Sequence, residues 1–124
     1  RLVGSEMCIE TGDKLKTARR LFTEKIIASL PDVIITSNDL IAQGIISAAH
    51  ENGINIPNDM QITGFDDSLS SAYFIPSVTT VSQNIDELAK RCFSMLMDLI
   101  NKKSSVSSII EQNIIARNSA KINI

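Results

Sequence analysis

Basic charge, histidine, paired cysteines and long apolar runs are all scarce in this chain, and each scarcity removes a class of function. Lys and Arg number 12 against 14 Asp and Glu, for a net charge of -2 and a pI of about 5.3. A protein that grips free nucleic acid needs a basic footprint, and these residues carry none. One histidine and no CxxC leave no zinc ligand set. Cys8 and Cys92 lie far apart among apolar residues, which predicts buried free thiols in a reducing compartment. No apolar run approaches the roughly 18 residues needed to cross a bilayer. The opening residues lack the apolar core of a secretory signal. They also lack an initiator Met, as expected of a piece of something longer. Internal repeats, low-complexity stretches, a glycine-rich phosphate loop and a G-x-S-x-G nucleophile turn are missing too.

What is present fits one compact domain: 124 residues, 44% of them hydrophobic. Residues 7–10 read as a short strand, followed by turn and cap residues through Asp13. Leu15, Ala18, Leu21, Phe22 and Ile26 recur at helical spacing, and Pro31 should stop that helix near Ser29. Residues 33–36 are β-branched and continuous, which predicts a strand buried on both faces. Ser37 and Asn38 can cap a second helix running to about Glu51, with Ile41, Ile45, Ala48 and Ala49 on its apolar side. Gly53 stands where a left-handed residue closes such a helix. A strand over 61–65, a mixed segment over 68–75 closed by Pro76, and a brief extended piece over 79–81 follow. Ile85, Leu88, Ala89, Cys92, Leu96 and Leu99 then mark a strongly amphipathic helix. Residues 109–117 read as a last strand and the tail beyond as frayed. Alternating strands and helices with short loops predict an α/β fold, a three-layer parallel sheet flanked by helices.

The chemistry concentrates at strand ends. Gly64-Phe65-Asp66-Asp67 leaves two carboxylates after one strand, and Asn38-Asp39 ends an earlier strand in the same way. Ligands of open α/β sheets bind at the carboxyl ends of the strands, so these pairs suggest one shared polar site. A carboxylate only accepts hydrogen bonds and suits sugar hydroxyls or purine N–H groups; an amide both donates and accepts. Asn38 can serve as a helix cap, a ligand contact, or both. Asp39 suits the positive end of the helix dipole and reads as structural. Asp67 reads as a loop-bonding carboxylate, His50 as a surface residue near a helix end, and Met95 and Met97 as packing surface. Tyr73-Phe74-Ile75 is a small apolar cluster, either a plug over the sheet end or an interface.

Four blocks share a pattern. Ser37-Asn38-Asp39-Leu40-Ile41-Ala42-Gln43-Gly44 resembles the NDxxAxG motif of LacI/GalR transcription regulators. Gly53, then Ile56-Pro57-Asn58-Asp59-Met60, then Gly64-Phe65-Asp66-Asp67 resembles that family's GFDD block. Pro76-Ser77-Val78-Thr79-Thr80-Val81-Ser82-Gln83 resembles its TTVxQ block, and Arg117-Asn118-Ser119 its terminal Arg-x-Ser. The resemblance implies one lobe of a periplasmic-binding-protein-like fold: residues 1–124 as the carboxyl-terminal effector-binding lobe, with 84–103 a crossover helix that normally packs on the first lobe. That helix should otherwise dock on a second chain or on the lobe's own exposed sheet. By motif position, Asn38, Asp66 and Gln83 become effector contacts, with Phe65 an apolar wall. Gln43, Tyr73 and Phe74 become homodimer contacts.

The function so implied is effector sensing, for a sugar or a purine, by the dimeric part of a cytoplasmic repressor. DNA would be bound only through a helix-turn-helix headpiece, of which these residues show no pattern. No cofactor, metal, membrane or catalytic residue is expected. Two alternatives remain open from the residues: the sugar-binding protein of an ABC-type transporter, and a magnesium-dependent phosphoryl-transfer enzyme using Asp39, Asp66 and Asp67. The enzyme reading suffers because no basic residue lies near these aspartates in sequence.

Overall fold

The computed structural model describes residues 13–104 and 106–122. The strand expected at 7–10, and Cys8 with it, lie outside the described residues. Asp13 caps helix α1 (Lys14–Leu21) by accepting the Lys16 N–H at 3.3 Å. The helix widens into a π turn over Phe22–Ile26 and tightens into a 3₁₀ turn over Ile27–Ser29. It stops at Ser29, where the pre-proline Leu30 turns extended, as Pro31 requires.

Strand β1 (Val33–Ile35) leads into helix α2 (Asp39–Glu51), the centre of the core. Ala42, Ile45, Ile46, Ala48 and Ala49 of α2 are all buried, together with Ala18, Phe22, Met60, Ile62 and Val78. Helices α1 and α2 cross at Gly44, where a Cβ would come within 2.7 Å of the Leu15 carbonyl oxygen and 3.0 Å of the Ala18 Cβ. Arg19 reinforces the crossing by holding both oxygens of Glu51, at 2.6 and 2.7 Å. The far end of α2 closes on Gly53 at φ +72, with Gly53 N–H donating to His50 O and Ile54 N–H to Ala49 O. This is the paired bonding of a Schellman stop.

Strand β2 (Gln61–Thr63) pairs in parallel with β1, Ile34 opposite Ile62. Helix α3 (Leu69–Tyr73) then forms a single short turn. Strand β3 (Thr80–Ser82) pairs antiparallel with β4 (Asn113–Ile115), and a parallel bridge from Thr63 to Thr79 ties the two pairs together. The order across is therefore β1-β2-β3-β4, parallel except for the last strand.

Four expectations need correction. Residues 33–35 are not buried on both faces: Ile34 turns toward the helical core, while Ile35 is 82% exposed. The expected last strand shrinks to three residues. The tail is tied down rather than frayed, because Ser119 is fully buried and brackets the backbone of Ile62 and Thr79. Cys92 is exposed, because it rides on helix α4 (Ile85–Ile100), none of whose residues is buried. The amphipathic reading of α4 holds, but its apolar stripe, with Phe93, Leu96 and Leu99 all more than half exposed, does not dock on the lobe's own sheet.

Candidate functional site

Parallel pairing decides where the polar residues meet. Strands β1, β2 and β3 run the same way, so their carboxyl ends share one edge. Asn38 follows the first, Phe65 and Asp66 the second and Gln83 the third, and all collect on that edge. Asp66 and Gln83 touch directly: the Gln83 amide donates to Asp66 Oδ1 at 2.6 Å. The Asp66 N–H continues the β2–β3 ladder by donating to Val81 O at 3.0 Å, which carries its side chain past the strand end. Asp66 and Asp67 have φ of 105 and 52. Consecutive left-handed φ values at non-glycine residues are costly and persist where surrounding structure holds them.

Asn38 does cap α2, its Oδ1 accepting the Ile41 N–H at 2.9 Å. The cap occupies the oxygen and leaves the amide hydrogens as the end that can address a ligand. The two roles are separable. Asn38→Ala is expected to cost about 1 kcal/mol, read in a urea midpoint, whereas Asn38→Asp caps equally well and should leave the midpoint nearly unchanged. Equal losses in both variants would mean that the amide hydrogens also support the fold.

The residue that organises the site is one the sequence presented as a helix-dipole partner. Asp39 is 1% exposed. Its carboxylate accepts the Ser68 N–H at 2.7 Å, the Ser71 hydroxyl at 2.7 Å and the Thr80 hydroxyl at 2.6 Å. Its own N–H donates to Phe65 O at 2.9 Å. Gly64 is required beside it, because a Cβ there would land on Asp39 Oδ1. The Ser-rich run after Asp67 was the available signal for this cluster, but periodicity could not show that it folds back onto α2.

Asp67 bonds within the fold as expected, though its partner comes from far away. Arg117 donates to Asp67 Oδ1 at 2.6 Å and to Val78 O at 2.9 Å. The fold thus supplies a basic residue beside these aspartates that sequence neighbourhood did not reveal. It forms an ion pair with Asp67, both side chains largely buried. Each of the three aspartates faces protein hydrogen-bond donors, and no cluster of three metal-ligating acids or histidines occurs among the described residues. That arrangement does not resemble a magnesium site.

The expected dimer contacts divide. Gln43 is turned inward, 4% exposed, with its amide donating to Ser70 Oγ at 2.8 Å and Ser71 Oγ at 3.2 Å. This corrects its placement on a surface; the hydroxyls of α3 recruit it. Phe74 packs against the core, while Tyr73 is 78% exposed, as open as Ile75 of the same cluster and Leu69, which the sequence reading did not single out.

Comparison with known proteins agrees with this architecture. A model of the periplasmic binding protein-like domain matches residues 5–120. A PurR-type transcriptional repressor of Pasteurella multocida is 36% identical over 101 residues, covering 78% of this chain and 30% of that protein. The ribose operon repressor protein of Lactobacillus acidophilus superposes with a TM-score of 0.78 at 29% identity, over 90% of this chain and 42% of that one. A LacI family regulator of Enterococcus faecium, solved with bound ribose, gives 0.77 at 26% identity, over 86% and 40%. The chain spans less than a third of the length of the Pasteurella relative. On the matched residues and the fold, the chain belongs to the periplasmic binding protein-like domain family, and within it is similar to PurR-type and LacI family regulators.

Proposed function

We propose that this chain is the carboxyl-terminal effector-sensing lobe of a bacterial DNA-binding transcriptional repressor that responds to a small metabolite of the sugar or purine class. The observation that carries the reading is the gathering of Asn38, Asp66 and Gln83 at one edge of three parallel strands. Together they offer an acceptor-only carboxylate and two amides, the set that reads hydroxyls and ring N–H groups. Phe65, half-buried at the same edge, supplies an apolar wall. The curated relatives are named repressors, and one structural neighbour holds ribose, which favours regulation over transport or catalysis.

In this reading a first lobe completes the cleft and packs on the open apolar stripe of α4. The ligand bridges both lobes and favours one relative orientation, typically by about 1–3 kcal/mol. That bias reaches a DNA-binding headpiece through a cytoplasmic homodimer in which Tyr73 is the exposed contact and Phe74 its inner support.

Calorimetry of the full-length protein against pentoses, hexoses and purine bases tests the reading. One class should bind, and Asp66→Asn should weaken it roughly 10- to 150-fold, the loss of a charge-assisted hydrogen bond. Undiminished binding by that variant would remove Asp66 from the site. The lobe by itself holds half of the clamp, so micromolar affinity of residues 1–124 alone would contradict a two-lobed cleft.

A further inference from the structure

We propose that Asp39 is a positioning residue that joins the ligand-facing loop and helix α3 into one unit, so that occupancy at Asp66 is transmitted to the exposed apolar side of α3. The identity of the occupant rests on the effector reading above; the linkage itself does not.

Asp66 is flanked by groups that Asp39 controls. Before it, Phe65 O accepts the Asp39 N–H; after it, the Ser68 N–H donates to Asp39 Oδ2. Between them the Asp67 N–H meets Thr80 Oγ1 at 3.3 Å, and that hydroxyl donates onward to Asp39 Oδ1. One buried carboxylate therefore fixes the backbone on both sides of Asp66, directly or through a single hydroxyl.

The same oxygen that takes Ser68 also takes the Ser71 hydroxyl, inside α3. Ser71 Oγ lies 2.8 Å from Ser68 Oγ and accepts from Gln43, which also reaches Ser70. Ser71 is fully buried and its carbonyl accepts the Val78 N–H at 2.8 Å. A five-residue helix has too few internal bonds to persist alone, so α3 exists through these tethers. Its outward side carries Leu69 and Tyr73, 80% and 78% exposed. A buried polar network fully engaged at both ends holds its members as a set, because a half-broken one strands polar groups away from water. Loop and α3 must therefore shift or open together.

Native-state amide exchange on the ligand-free protein tests this with Thr80→Val and Ser71→Ala. The Thr80 hydroxyl bonds to the loop and Asp39 and to nothing in α3. Thr80→Val should nevertheless speed exchange of the Ser71 and Phe74 amides about tenfold or more, and Ser71→Ala should do the same to the Asp66 amide. Thr80→Ser keeps the hydroxyl and should restore wild-type protection of α3. Amides of Ala48 and Ala49, inside α2, should hardly respond. If Thr80→Val loosens Asp67 alone, or accelerates every amide equally, the linkage is overturned. Coupled exchange with no metabolite bound in calorimetry would sink the effector reading and keep the linkage; binding with uncoupled exchange would do the reverse.

Discussion

Gly64→Ala is expected to disable the site and cost the fold about 2–4 kcal/mol, the sum of an overpacked contact and a broken buried carboxylate network. The added methyl would sit on Asp39 Oδ1, with Asp39 Cα only 3.2 Å away, so neither a rotamer change nor a small shift relieves it. Asp39 cannot retreat without abandoning the Ser68 amide and the Ser71 and Thr80 hydroxyls, all buried or nearly so. For a domain of this size, such a loss lowers the melting temperature by roughly 10 °C or more. Calorimetric melting checks it, and a change of under about 1 kcal/mol would show that the loop has room the structure does not display. A double variant sharpens the test. In an Asp39→Ala background the methyl meets no carboxylate, so the added cost of Gly64→Ala should shrink. The two single losses would then sum to more than the double loss, as expected for residues in direct contact.

Phe22→Ala should be at least as damaging to stability, by about 3–5 kcal/mol, because it empties a fully buried aromatic site. Total stabilities of domains are about 5–15 kcal/mol, so much of the variant should be unfolded under mild denaturant. Phe22 opens the π turn that ends α1, and α1 is the layer lying across Gly44 of α2. Losing it frees α2 to shift, and Asn38 and Asp39 shift with its first turn. Urea titration followed by far-ultraviolet circular dichroism reads the cost. Phe22→Leu, which keeps most of the volume, should lose much less. Equal losses for the two would count against cavity formation as the cause.

The repressor reading depends on which residues face a ligand and which only hold those that do. Asn38 and Asp66 were legible as candidates because each stands just past an expected strand and bears a polar group, whereas Gln83 was reached only through the family resemblance. Parallel pairing then brings them together without any further coincidence. Asp39 was not legible in its real role: an acid at the start of a helix is ordinary, and only the return of the 64–71 segment onto α2 makes it a hub. Gln43 misled for the opposite reason. The family resemblance placed it at a subunit contact, but the serines that bury it lie 27 and 28 residues away. Arg117 and Asp67 are separated by 50 residues, beyond the reach of any local pattern.

The sequence by itself determined helices α1 and α2 and their ends, since caps, a pre-proline stop and a glycine with positive φ are local devices that act within a few residues, but it did not reveal α3. Amphipathic spacing fixed α4 from Ile85 to Ile100, and strand-end chemistry marked the edge where a ligand is expected. Tertiary structure alone decided what each face meets. It exposed Ile35 and Cys92, buried Gln43 and Ser119, shortened the last strand and gave Asp39 three donors. Burial and long-range hydrogen bonding depend on which distant segments return, and periodicity records that a face is apolar without recording what covers it.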